Sequence, residues 1–362
     1  MKIMILANND VGLYQFRKEL IEELLKEQTV VISLPNGNLV KPLKDMGCKF
    51  INTYVDRRGI NPVKDLKLFL EYRKILKKER PDLVITYTIK PNVYGGFACR
   101  TQKIPYAVNV TGLGTAFEEN GILKRLVTIM NRVGCKNAKV VFFENEENRQ
   151  IFIREKIVKE EQTYRLNGAG VNLEKYQVAP YPQEEKIKFL FMGRIMAEKG
   201  IDELFTAMRK LVKNGVNCEL DLLGAYEEDY KEKIERYQAE GWLHYYGYQE
   251  DVRPFIAKCH CFVLPSWHEG MANTNLEAAA MGRPVITTNI HGCLEAVEDG
   301  VTGYLCERKN EEDLYMKMKK LCYLSRDDRE QMGKNGRYRM EEIFDKRVVV
   351  AETIRKIKEN NM

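Results

Sequence analysis

Short apolar runs alternate with amphipathic segments twice along this chain, and that alternation limits its fold more than any other feature. KIMILA (Lys2 to Ala7) precedes a polar loop, Asn8 to Gly12, and a helical stretch over Leu13 to Glu27. The period continues through apolar runs at Thr29 to Leu34, Cys48 to Thr53, Asp82 to Tyr87, Pro105 to Val110 and Lys139 to Phe143. Between them the spacing predicts helices near Leu39 to Met46, Pro62 to Lys78, Asn92 to Gln102 and Ile122 to Cys135. Strand and helix in strict turn give an α/β fold with a parallel sheet covered on both faces. The proline-rich, charged stretch QVAPYPQEEK, residues 177–186, then interrupts the pattern and reads as a linker. Beyond it the pattern restarts with Ile187 to Gly193, Cys218 to Gly224, Trp242 to Gly247, Cys259 to Pro265 and Arg283 to Thr288 as apolar runs. Helices are predicted at Ile201 to Lys213, Asp229 to Glu240 and Asp251 to Lys258. Two parallel-sheet domains follow, 1–180 and 181–344. Three tail helices, at 311–324, 326–342 and 345–360, exceed what one small sheet needs, so the last is expected to pack back on the first domain.

A chain of 362 residues that is 44% hydrophobic supplies a core to each domain. The nine cysteines form no Cys-x-x-Cys pair, which argues against a zinc site or a disulfide framework and for small buried apolar residues. The first residues run straight into a strand, and no apolar run approaches the ~18 residues of a membrane span, so a cytoplasmic protein without a signal peptide is expected. Charge is unevenly spread. Residues 1–180 carry 30 Lys and Arg against 20 Asp and Glu, a net +10, whereas residues 181–362 carry 28 against 32, a net −4. Two helices concentrate the excess: Pro62 to Arg80 holds seven basic residues around an apolar set, and Gly121 to Lys139 holds five with no acid. Apolar stripes flanked by cations suit an anionic membrane surface, and nucleic acid is not expected; the competing reading is stripes packed on the sheet with solvated lysines.

The densest chemistry lies in PSWHEGMANTNLEAAAMG, Pro265 to Gly282, between two apolar runs. Asn273 to Gly282 reads as a helix, with Asn273 or Thr274 as its cap and Gly282 as its stop. Glu269 then lies in the loop and Glu277 about one turn into the helix. Ligands of open α/β sheets bind at the carboxyl ends of the strands, and a helix start there offers amides to an anion. A second feature, GRIMAEKG (Gly193 to Gly200), also follows a strand, and its Arg194 and Lys199 suit a diphosphate. The two glutamates do not read as a hydrolase pair: on one helix, eight residues would separate them by ~12 Å and ~80°, beyond the ~5 to 9.5 Å of glycosidase carboxylates. They more plausibly grip different hydroxyls of one ligand.

The first domain is less explicit. Gly12 sits between strand and helix, but NNDVGLYQF is no dinucleotide fingerprint, and VTGLGTAF (Val110 to Phe117) lacks its third glycine. Lys90, at the end of another strand, is a candidate for the ligand cleft. All four histidines lie in the second half; His260, inside an apolar run, is expected to be packed rather than catalytic. No spacing suggests a bound metal.

Taken together, GRIMAEKG, EGMANTNLE, GAGVNLEKY (Gly168 to Tyr176) and GVTGYL (Gly300 to Leu305) resemble the retaining glycosyltransferases of family 4. The resemblance implies the GT-B fold, two Rossmann-like domains facing a central cleft, an acceptor-binding first domain and a donor-binding second. It extends through TIKPNVYGG and VTGLGTAF to bacterial enzymes that build capsule, O-antigen and polyprenyl-diphosphate-linked glycans. On that resemblance Arg194 and Lys199 hold the diphosphate of a nucleotide sugar, UDP-linked by expectation. Glu277 holds the ribose, while Glu269 and the amides of Gly270, Met271, Ala272, Asn273 and Thr274 hold the sugar. Gly12 approaches the phosphate, and Tyr248 and Val252 of GYQEDV frame the base. Lys90 and Thr111 are the acceptor-side candidates. The acceptor is lipid-linked or a saccharide, no cofactor or metal is implied, and the enzyme works as a peripheral protein on the inner face of the membrane. Many relatives carry a histidine where this chain has Asn109-Val110-Thr111-Gly112; Thr111 can hydrogen-bond there but cannot carry positive charge. A nucleotide-sugar epimerase and a non-catalytic nucleotide-sugar-binding protein share the fold and stay open as alternatives.

Overall fold

The structure, a computed structural model, describes residues 1–56, 61–113, 117 and 121–359. It comprises two compact units, Met1–Ala169 with Lys346–Met362, and Gly170–Asp345.

The first unit is built on seven strands: β1 (Lys2–Leu6), β2 (Thr29–Leu34), β3 (Lys49–Asn52), β4 (Leu83–Tyr87), β5 (Tyr106–Val110), β6 (Val140–Phe143) and β7 (Thr163–Arg165). All pair in parallel, in the order β3-β2-β1-β4-β5-β6-β7. The order reverses between β1 and β4, the position where a parallel sheet opens a crevice at its carboxyl edge. Alternate residues serve opposite faces: Ile3 and Ile5 join one apolar cluster, Met4 and Leu6 another. The first is closed by α1 (Asp10–Leu25), α2 (Val40–Asp45) and α13 (Lys346–Glu359), through residues such as Leu20, Leu43 and Ile357. The second is closed by α3 (Pro62–Glu79), α4 (Gly96–Thr101), α5 (Ile122–Cys135) and α6 (Glu146–Arg154), through Tyr72, Ala98, Cys135 and Phe152. The last helix therefore belongs to the first unit, as its surplus in the tail implied.

Two local departures from the periodic reading have clear causes. The helix expected from Asn92 begins as a π-type turn, Pro91–Gly95, before α4. A β-carbon on Gly96 would lie 2.3 Å from the carbonyl of Gly134 in α5, so this segment needs its glycines for close helix approach. Helix α1 starts three residues earlier than expected, because the Asn9 side chain caps it by accepting from Gly12 N at 2.6 Å.

The second unit has six parallel strands, in the order β10-β9-β8-β11-β12-β13. They are β8 (Ile187–Met192), β9 (Cys218–Leu223), β10 (Leu243–Gly247), β11 (Cys261–Leu264), β12 (Val285–Thr288) and β13 (Gly303–Cys306). Helices α7 (Ile201–Lys213), α8 (Lys231–Ala239), α9 (Arg253–Lys258), α10 (Asn273–Ala280), α11 (Glu311–Tyr323) and α12 (Arg326–Ile343) accompany them. The division between units falls at Ala169/Gly170, and the stretch read as a linker is part of the second unit. Arg283, fully buried, explains why: its guanidinium donates to the carbonyls of Ala179 and Pro180 as well as those of Ile256 and Ala257, at 2.7 to 3.1 Å. Tyr181 adds a 2.8 Å bond to His260 O. His260 is itself packed as expected, its two ring nitrogens meeting Lys188 N and Glu184 O at 3.1 and 3.0 Å. Among the described residues no helix is long and apolar enough to cross a membrane.

Candidate functional site

In the second unit the chain leaves β8 through Gly193 and Arg194 and makes a short 3-10 turn, Ala197–Lys199. Gly200 closes that turn at φ +70°, and a β-carbon there would lie 2.0 Å from Pro265 O. Only glycine permits both the left-handed backbone and this contact. The basic turn is thereby pressed onto the loop that follows β11, the neighbouring strand. Trp267 N donates to Glu198 O at 2.9 Å, and the Trp267 indole donates to Glu203 at 3.0 Å. Lys309 caps the indole face 4.0 Å from its centroid.

This buttressing brings Lys199 Nζ into a charge-assisted hydrogen bond with Glu269 Oε1, with the two side chains only 16% and 14% exposed. The residues expected to hold diphosphate and sugar are thus direct neighbours. Arg194 lies apart from that pair, half exposed, 3.8 Å from Glu227. A third loop, after β12, supports Glu269 from behind. A β-carbon on Gly292 would fall 2.5 Å from Glu269 O, and Gly292 O accepts from Ala272 N at 2.7 Å. Glu295 secures that loop, with one carboxylate oxygen 2.8 Å from His291 Nδ1 and the other accepting from Gly292 N at 2.7 Å.

Helix α10 begins where expected but is capped differently. Its N-cap is Ala272, with no side-chain capping bond, rather than Asn273 or Thr274. The helix is instead fastened from below, where Asn275 donates to Thr287 Oγ1 at 3.1 Å and Thr287 Oγ1 donates to Leu264 O at 2.8 Å. The run of amides expected to meet the sugar is also partly committed: Ala272 N bonds Gly292 O, and Asn273 N bonds Met271 O at 3.0 Å. Gly270, Met271 and Thr274 complete the stretch. Glu277 is the fifth residue of α10, with buried Tyr176 nearby. Burial first, and then the adjacent carboxylate, raise that phenol well above its ordinary value. Beside Tyr176, Arg253 grips Asp251 with two bonds of 2.7 and 2.8 Å, at the end of the GYQEDV loop. Val252 caps α9 and packs against the core, while Tyr248 is 58% exposed.

Two of the first-unit candidates are engaged by local partners. Gly12 is inside the first turn of α1, and its amide donates to the Asn9 side chain. Lys90 is held 2.6 Å from Asp65 of α3, both side chains nearly buried. Thr111 follows β5, partly exposed; residues 114–116 of the GLG loop lie outside the described residues. Unforeseen from the sequence, Thr88 at the end of β4 has φ +73° with its Oγ1 buried, an unusual conformation for a β-branched residue, beside the strand-order reversal.

A parallel sheet carrying a basic turn after one strand, a carboxylate loop after the next and a second carboxylate on the following helix fits the second Rossmann-like domain of a GT-B glycosyltransferase. The chain belongs to the glycosyltransferase family: the model for glycosyl transferases group 1 matches residues 174–339, and that for glycosyl transferase 4-like proteins matches residues 2–145. It is a hexosyltransferase by these matches and by its relatives. It is similar to the N,N'-diacetylbacillosaminyl-diphospho-undecaprenol alpha-1,3-N-acetylgalactosaminyltransferase of Campylobacter jejuni, 29% identical over 88% of each chain. It is also similar to the capsular polysaccharide biosynthesis glycosyltransferase CapM of Staphylococcus aureus, 27% identical over 91% of this chain and 90% of that one. Among solved structures, Anabaena HepE in complex with UDP and glucose shares the fold, with a TM-score of 0.82 and 16% identity over 99% of this chain and 100% of that one.

Proposed function

We propose that this enzyme transfers a hexose or N-acetylhexosamine, with retention, from a UDP-sugar to a polyprenyl-diphosphate-linked glycan in bacterial surface polysaccharide assembly. The observation that carries the reading is the Lys199–Glu269 pair, set directly before the start of α10. A cation for the leaving diphosphate beside a carboxylate for the sugar is what a reaction at the sugar–phosphate bond needs. The C–O bond to the diphosphate breaks, the acceptor oxygen bonds the anomeric carbon on the same face, and its proton passes to the departing phosphate. Lys199, with Arg194, supplies the positive charge that stabilises the leaving group, and Glu269 orients the sugar. Glu277 holds the ribose and the 247–252 loop frames the base. The choice of UDP is supported by the nucleotide bound in the similar fold, and the choice of acceptor by the named substrate of the Campylobacter relative.

The acceptor's lipid calls for a membrane-facing surface, and the first unit offers one. Leu123, Leu126 and Ile129 of α5 are exposed, and Val63, Leu66 and Leu70 expose a stripe on the start of α3. Around the α5 residues stand Lys124, Arg125 and Arg132, lining one open groove. Apolar side chains ringed by cations suit the anionic inner face of the membrane, where the enzyme works as a peripheral cytoplasmic protein. The test is a panel of UDP- and GDP-sugars, each supplied with a short-chain polyprenyl-diphosphate-linked acceptor. Transfer with a UDP-sugar is the expected result, and saturated donor binding without transfer or hydrolysis of any donor would sink the proposal.

A further inference from the structure

Across the carboxyl edge of the first sheet lies a nearly buried ion pair that the donor chemistry does not use. Arg17, the eighth residue of α1, places a guanidinium nitrogen 2.5 Å from a carboxylate oxygen of Glu144. Its central carbon also lies 5.0 Å from the ring centroid of Tyr87, the buried last residue of β4. Glu144 directly follows β6 and precedes Asn145, whose side chain caps α6 by accepting from Asn148 N at 2.8 Å, so the backbone that carries the carboxylate is held on both sides. Tyr87, Asn109 and Phe142 stand in line across β4, β5 and β6. With neighbouring strands ~4.8 Å apart, the ends of β4 and β6 are separated by ~10 Å, and a guanidinium that reaches both lies over the end of β5. Thr111, partly exposed, follows that end.

We propose that Arg17 and Glu144 form a subsite for the acceptor glycan, Arg17 donating to and Glu144 accepting from the hydroxyls of one uncharged sugar ring. The inference rests on the reading of the chain as a transferase to a glycan acceptor. Ligands of open α/β sheets bind at the carboxyl ends of the strands, which is where the pair stands. Its bonding capacity is not used up. Among the described residues Arg17 makes one hydrogen bond, to Glu144, although a guanidinium carries five N–H donors, and the two side chains keep 10% and 9% of their surface exposed. Stability alone is a poor reason for such a pair, because burial costs both charges their hydration and apolar side chains of similar volume often serve as well. Charge then selects the ligand. The pair is neutral as a unit, and an anion drawn to Arg17 would meet the Glu144 carboxylate, so hydroxyls rather than a diphosphate are the matching partner.

The experiment compares the wild-type enzyme with the double variant Arg17→Met, Glu144→Gln, which leaves neither charge alone in the site. Transfer is measured from the UDP-sugar to a farnesyl-diphosphate-linked N-acetylhexosamine, and octyl N-acetylhexosaminide, which carries no diphosphate, serves as a competitive inhibitor. Loss of a hydrogen bond to a charged group weakens the equilibrium it supports by about tenfold or more. The expected result is that the acceptor KM and the inhibition constant of the octyl glycoside both rise by about tenfold or more, with the donor KM within about twofold of wild type. These constants belong to the folded molecules alone, so a purely structural role would lower the melting temperature and move neither. Arg17→Lys, which keeps the charge but not the five-donor fork, guards against a double variant that does not fold and is expected to raise both constants by about threefold or more. Acceptor KM and inhibition constant within about twofold of wild type in the folded variants would overturn the subsite. A rise for the diphosphate-linked acceptor without one for the octyl glycoside would overturn the choice of sugar hydroxyls as the ligand. A wild-type enzyme that transfers to no glycan acceptor would overturn the functional reading itself, and this inference with it.

Discussion

Replacing Lys199 by methionine tests the centre of the site, because the change removes one charge and little volume. Two consequences follow from its contact with Glu269, and they can be separated. For catalysis, the lost cation is one preorganised group facing the departing diphosphate. Removal of a single such donor costs about a hundredfold to a thousandfold in kcat, or about 2.7 to 4 kcal/mol. For stability, the substitution takes the cation away from the Glu269 carboxylate in a site where only 14% of its side chain is exposed. Breaking a fully buried pair costs about 3 to 5 kcal/mol, and the residual exposure of both partners here puts the loss nearer ~1 to 3 kcal/mol. Converting Glu269 to glutamine in the same background removes the uncompensated negative charge. The double variant is therefore expected to recover most of the lost melting temperature and none of the turnover. Initial rates of UDP release at saturating donor, with thermal melts on the same preparations, measure both. A Lys199→Met enzyme whose kcat stays within about threefold of wild type would refute the electrostatic role, as would recovery of turnover in the double variant.

Other consequences are simpler to state. Gly200→Ala should lower the melting temperature by several degrees and raise the donor KM, since a left-handed backbone costs about 1 to 2 kcal/mol before the added carbon meets Pro265 O; an unchanged melt would mean the turn relaxes freely. Burial holds the His260 imidazole below its ordinary 6.5. The unfolded chain therefore takes up that proton first, so the stabilisation is complete above pH 6.5 and is lost as pH falls below it. Urea midpoints should decline between about pH 7.5 and 5.5 in the wild type and less steeply in His260→Asn; parallel declines would contradict the assignment. Leu126→Glu combined with Ile129→Glu should abolish flotation with anionic vesicles but spare transfer to a water-soluble acceptor, and undiminished flotation would remove α5 from the membrane surface.

The strands that form the two sheet centres were legible because burial on both faces leaves an uninterrupted apolar run, as in Leu83–Tyr87 or Ile187–Met192. Strands β7 and β13, of three and four residues, and the polar helix α6 carry too little pattern to register. Within the site, Arg194, Lys199, Glu269 and Glu277 were legible as residue types at strand ends and helix starts. Their partners were not. Lys90 pairs with a carboxylate 25 residues back, and Gly12 serves a cap that depends on where α1 starts. The support for Glu269 comes from Gly292, whose bare α-carbon matters only once β11 and β12 are known to be neighbours. Tyr176 was legible only as part of GAGVNLEKY, since its place beside α10 depends on the fold bringing that segment there.

The chain crosses between its units twice, and the crossings lie together: Val171 N donates to Phe344 O at 2.8 Å and Val171 bridges Asp345. The whole second unit is therefore an insertion between Ala169 and Lys346. In the order of synthesis, that unit is contiguous and can close on its own core as soon as Asp345 has been made. The first unit has its seven strands long before, yet lacks Ile357 and the ion pair of Lys346 with Glu19 until α13 arrives. The half of the enzyme translated first is the half completed last, and until then the outer face of α1 has no cover.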